Sequence, residues 1–154
     1  MNHFRIPSMG RRAFGSALLL ATLFVSGACR SGTDVGDEAD IREITLTVGT
    51  QTIPVRGNST TQLVLPVGQS TVSAVVLEGN GNSLPSGSDF RLDVTVPANS
   101  AGGIQFTRTG PYSGTFTTAS PMATPVNLRF SIFRISHGHA EFGPFNVPTV
   151  VVQQ

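Results

Sequence analysis

Beyond residue 40 the chain alternates between apolar and polar positions with a period of two. Ile44, Leu46 and Val48 are separated by Thr45 and Thr47, and Val72, Ala74 and Val76 follow the same rule. Phe90, Leu92, Val94 and Val96 stand against Arg91, Asp93 and Thr95. Val126, Leu128, Phe130 and Ile132 stand against Asn127, Arg129 and Ser131. Such a period turns one face of a strand inward and leaves the other to solvent. Turn residues separate the runs: Gly49-Thr50, Pro66-Val67-Gly68, Glu78-Gly79-Asn80-Gly81-Asn82, Pro97 to Gly103, and Gly110-Pro111. Glycine and asparagine tolerate positive φ, and proline presets a turn, so these are strand boundaries with a physical cause.

Three prolines refine the picture. Pro54 has no N–H to give to a ladder, which predicts an edge position for the strand Gln51–Val55. The stretch Ser120 to Pro125 holds two prolines and is expected to be irregular. With a last strand in the valine-rich run Val147 to Val152, the pattern predicts one all-β domain of about eight strands, closed as an antiparallel sandwich. From Ser70 through Val152 the number and rhythm of these strands resemble the bacterial immunoglobulin-like domains of cell-surface proteins, although tryptophan and a cysteine pair are absent. The resemblance implies a binding or structural module of the cell surface.

The first 40 residues obey another logic. Arg5, Arg11 and Arg12 precede an apolar run, Ala13 to Val25, and Ser26-Gly27-Ala28 supplies small residues before Cys29. This is the layout of a secretory signal peptide, and the run is too short and too diluted to favour a membrane-spanning helix. Val25-Ser26-Gly27-Ala28-Cys29 resembles the lipobox of bacterial lipoproteins, with serine where leucine is commonest. The resemblance implies a diacylated Cys29 as the new N-terminus. Cys29 is the single cysteine, so no internal disulfide competes for it. Gly10-Arg11-Arg12-Ala13-Phe14 is similar to the twin-arginine export signal. Arg30 to Asp40 offers little to bury and carries Asp34, Asp37, Glu38 and Asp40, whose repulsion favours an extended, solvated tether. The expected organisation is therefore a signal peptide over 1–28, a lipidated cysteine with an acidic tether over 29–40, and the β-domain over 41–154. It places the protein in the bacterial cell envelope, on the periplasmic or cell-surface face.

Charge narrows the function. Three of the ten basic residues precede Cys29, leaving seven arginines against nine acids, a formal charge of −2. No basic stripe is available for nucleic acid. Carbohydrate binding normally uses exposed tryptophan or tyrosine, and the chain has no tryptophan and one tyrosine. No Gly-x-Ser-x-Gly elbow marks a nucleophile. Asp89 and Asp93 fall on one strand and are expected to be part of its solvent face. The remaining constellation is His137-Gly138-His139-Ala140-Glu141. If extended, it would project His137, His139 and Glu141 to one side, where two imidazoles and a carboxylate suit copper or zinc. Gly138 favours a bend instead, which would make the histidines plain turn residues. The sequence thus points to a lipid-anchored, non-catalytic binding or structural module with an envelope protein as partner, its contacts made by strand edges or loops. The alternative is a metal-binding lipoprotein using His137, His139 and Glu141.

Overall fold

The computed structural model describes residues 40–57, 59–87, 89–98, 100 and 103–154. The signal segment, Cys29 and the acidic stretch up to residue 39 lie outside the described residues. Among the described residues there is no helix, and nine strands follow one another: β1 Ile41–Val48, β2 Gln51–Val55, β3 Leu63–Pro66, β4 Gly68–Glu78, β5 Phe90–Thr95, β6 Gln105–Gly110, β7 Ser113–Thr118, β8 Met122–Arg134 and β9 His139–Val152. They form two sheets, ordered β2-β1-β4-β7-β6 and β3-β9-β8-β5. Every pairing is antiparallel except β3 with β9, which run parallel from Leu63↔Thr149 to Pro66↔Val152. The fold is an all-β sandwich, as the alternation predicts.

The inward residues of that alternation make the core. Ile44, Leu46, Val72, Val76 and Phe116 from one sheet meet Leu63, Leu65, Leu92, Leu128, Phe130 and Ile132 from the other, all buried. Phe116 and Phe130 meet edge to face across the sandwich, with ring centroids 6.4 Å apart. Burying each such side chain contributes about 1.5–3 kcal/mol. Pro54 lies on β2, an edge strand, where its missing N–H faces no partner.

Both open sides of the sandwich are bridged by side chains. On one side the Gln51 amide donates to the Val64 carbonyl at 2.5 Å and accepts from the Val64 N–H at 3.0 Å. On the other, Arg108 of β6 reaches β5, donating to the Leu92 carbonyl at 3.2 Å and to Asp93 at 2.7 Å. The Leu92 N–H donates to Pro111 O at 2.7 Å. Thr118 fixes the bend between β3 and β4, donating to Pro66 O at 2.6 Å and accepting from Gly68 N–H at 3.0 Å. These bridges satisfy backbone groups that would otherwise lie at unprotected strand edges.

Three expectations need correction. Ser120 to Pro125 is not all irregular, because β8 already begins at Met122 and pairs with Val151 before a register shift on the way to Val126. A bulge absorbs the proline there, as bulges generally do. The last strand does not start at Val147 but at His139, and it passes Gly143, whose φ of 93° suits glycine alone. Ser131 keeps its outward place opposite Asp93 but is covered and not solvated, because β9 bulges at Gly143 directly beside it.

Candidate functional site

The two longest strands, β8 and β9, meet at one end of the domain in the turn 135–138. Gly138, at φ 71°, closes the turn, and its N–H donates to Arg134 O at 3.0 Å. The turn is docked on the residue before β5. Asp89 accepts the Ser136 N–H at 2.9 Å and the Ser136 hydroxyl, while its carbonyl accepts the Ile135 N–H at 2.8 Å. The Ser136 hydroxyl, with lesser help from the Ser136 amide and Arg134, holds the Asp89 carboxyl below its ordinary value. The Arg134 side chain is buried to 8% exposure, donates to Asp89 at 3.4 Å, and lies 5.5 Å over the Phe90 ring.

Beside this scaffold stand the three residues singled out in the sequence. His137 belongs to the turn, while His139 and Glu141 belong to β9. Their convergence does not come from a simple extended strand. β9 pairs Phe142 with Ile132 and Ala140 with Phe133, so Glu141 is the extra residue of a bulge. A bulge bends its strand and re-aims a side chain. Here it carries Glu141 inward, to a side-chain exposure of 6%. Glu141 Oε1 lies 3.3 Å from His139 Nε2, 3.5 Å from His137 Nδ1 and 3.8 Å from Arg134 Nη1. The imidazoles are stacked at a tilt, centroids 5.6 Å apart, and are 42% and 58% exposed. One donor atom from each of the three residues falls within 4.8 Å of the others.

Two details set this cluster apart from an ordinary surface ion pair. First, Glu141 Oε1 is wholly buried yet makes no hydrogen bond, its neighbours Arg134, His137 and His139 being ion-pair contacts at 3.8, 3.5 and 3.3 Å. Leaving a buried acceptor unpaired costs about 1–3 kcal/mol, and more when it is charged. Second, His139 Nδ1 lies 3.2 Å from the carbonyl oxygen of its neighbour His137. A carbonyl only accepts, so this contact is a hydrogen bond when Nδ1 carries a proton, and it holds the ring with Nε2 turned toward Glu141 Oε1.

The paired carboxylates of the sequence do not act together. Asp89 holds the β8–β9 turn, whereas Asp93 holds Arg108. Arg134 was legible as the next inward position after Leu128, Phe130 and Ile132, but its partner Asp89 lies 45 residues away. An open polar depression lies among Gly49, Gln51, Gln69 and Gln154, and none of its lining side chains is titratable. No family model matches the chain, and no curated protein is significantly similar to it.

Proposed function

We propose that this chain is an exported, lipid-anchored module of the cell envelope that works by binding and not by catalysis, with the β8–β9 end as its binding element. The observation that carries the reading is the convergence of His137, His139 and Glu141 beside a turn that Asp89 and Arg134 hold in place. A binding element is most useful on a rigid support, and here the support is the end of the two longest strands. Because side chains bridge both open sides of the sandwich, the hairpin end and the loops are favoured over strand edges as the contact surface.

Anchoring rests on the sequence of the first 40 residues. The small residues before Cys29 and the acidic stretch after it fit an acylated cysteine on a solvated leash. Two or more acyl chains hold a protein at a bilayer where one gives only marginal binding. The likeness in strand rhythm to bacterial immunoglobulin-like domains agrees with an envelope role.

Expression in a bacterial host with a clickable fatty acid tests the anchor. The wild-type chain is expected to take up label and to sediment with membranes. Cys29→Ser is expected to lose the label and move to the soluble fraction. A wild-type chain that takes up no label overturns lipid anchoring, whatever the hairpin end binds.

A further inference from the structure

We infer that His137, His139 and Glu141 form a binding site for a divalent transition-metal ion of the copper or zinc type. This inference rests on the reading of the β8–β9 end as the binding element and names what it takes.

The spacing of the donors fits such an ion. Zinc bonds of about 2.0–2.2 Å at tetrahedral angles place neighbouring ligand atoms about 3.3–3.6 Å apart. Glu141 Oε1 stands 3.3 Å from His139 Nε2 and 3.5 Å from His137 Nδ1. The imidazole donor atoms, within 4.8 Å of each other, need only swing together around the fixed carboxylate. Both are exposed enough to do so.

The orientation of His139 suits a cation as well. The His137 carbonyl lies 3.2 Å from His139 Nδ1 and holds the ring with Nε2 aimed at the same point as Glu141 Oε1. Orienting one ring nitrogen through the other is the usual outer support of a metal-binding histidine. Glu141 Oε1 is buried, makes no hydrogen bond and faces the same point. A metal ion would satisfy that oxygen and the two imidazole nitrogens together.

Charge also permits it. Arg134 stands 3.8 Å from Glu141 and would repel a second cation. Asp89 engages Arg134 from the other side, so the cluster holds two carboxylates against one guanidinium before any metal arrives. The buried carboxylate anchors the ion, and the two exposed histidines close it from outside. Three protein donors leave at least one position open to water or to a partner's ligand.

Imidazole and carboxylate together favour copper and zinc over magnesium and calcium, and copper over zinc. The test uses the untagged full chain, purified as the cell processes it and stripped with chelator. Titration with Cu(II), Zn(II) or Mg(II) is followed by calorimetry, and the copper form by electron paramagnetic resonance. One ion per chain is expected, with Cu(II) tighter than Zn(II), no heat from Mg(II), and nitrogen hyperfine structure in the copper spectrum. His137→Ala/His139→Ala is expected to abolish binding while circular dichroism stays unchanged, since both rings are exposed. Glu141→Gln keeps the side-chain shape and is expected to weaken binding by at least the roughly 10–100-fold typical of outer-support changes. Absence of Cu(II) or Zn(II) binding by the wild-type chain overturns the site. So does binding that survives the double histidine variant. Unchanged affinity in Glu141→Gln would overturn the role of Glu141. Each titration is repeated in Cys29→Ser, which removes the thiol as a competing ligand and makes every outcome independent of lipidation.

Discussion

The side chain of Gln51 makes both backbone hydrogen bonds of Val64, giving β3 across the sandwich what a neighbouring strand would give it. Its amide N–H donates to the Val64 carbonyl and its amide oxygen accepts the Val64 N–H. β3 has four residues and is bonded along its other side to β9, so Gln51 closes an edge that is otherwise open.

Gln51→Ala is therefore expected to destabilise the domain by about 1–3 kcal/mol, the cost of stranding partly buried backbone groups. Gln51→Glu keeps the acceptor but sets a carboxylate against the Val64 carbonyl, and should not restore stability at neutral pH. Urea denaturation of the two variants checks both statements, and equal stability of Gln51→Ala and wild type would refute them.

The docking of the β8–β9 turn should depend on pH through Asp89. Its carboxyl is held below the ordinary value of 3.8, chiefly by the Ser136 hydroxyl. A lowered folded-state pKa means that the stabilisation is complete above the unfolded value and is lost as pH falls through the folded one. Hydrogen exchange at the amides of Ile135 and Ser136, once corrected for intrinsic rates, is expected to accelerate as pH falls below the ordinary carboxylate range. Asp89→Asn should remove most of that acid-side change, and an identical pH profile in the variant would count against Asp89 as its source.

Gly143 and Gly138 both have positive φ, yet their substitution should differ in cost. A Cβ on Gly143 would meet the Phe130 carbonyl oxygen at 2.7 Å and Ser131 Cα at 3.1 Å, while one on Gly138 would meet nothing within 4 Å. Gly138→Ala should cost about 1 kcal/mol from backbone conformation alone. Gly143→Ala should cost more, because β8 and β9 must separate next to the Glu141 bulge. Thermal denaturation ranks the two directly.

Phe130 is fully buried and meets Phe116 edge to face. Phe130→Ala is expected to cost about 3–5 kcal/mol by removing apolar contact and leaving a cavity. Phe130→Leu, which fills most of the space, should cost clearly less. Chemical denaturation that finds the two equal would show the site to collapse freely.

The sequence was most readable where the period of two holds. Ile44, Leu46, Val72, Leu92, Leu128 and Phe130 are all inside, and Pro54 is on an edge strand, because each follows from local chemistry alone. It was least readable where β8 and β9 change register. Met122 to Pro125 joins a strand through a bulge, and Ser131 is covered by the bulge of β9 at Gly143, because the partner strand decides these and not the local residues. The candidate site shows both sides of this. His137, His139 and Glu141 announced themselves as a polar cluster. That Glu141 would be the buried, bulged member, held beside Arg134 and the distant Asp89, depends on pairings that no short window of sequence contains.

The parallel pairing of β3 with β9 has a consequence for how the domain acquires its fold. Leu63 finds Thr149 and Leu65 finds Val151, so residues made early wait for residues made much later. Contacts so distant along the chain slow folding, because a long loop must close before they form. β1, β2 and β4 can pair with one another as soon as they emerge, but the second sheet cannot be completed around β3 until β9 is free to slide in beside it. The closing step of folding therefore waits for β9, however early the first sheet begins to form.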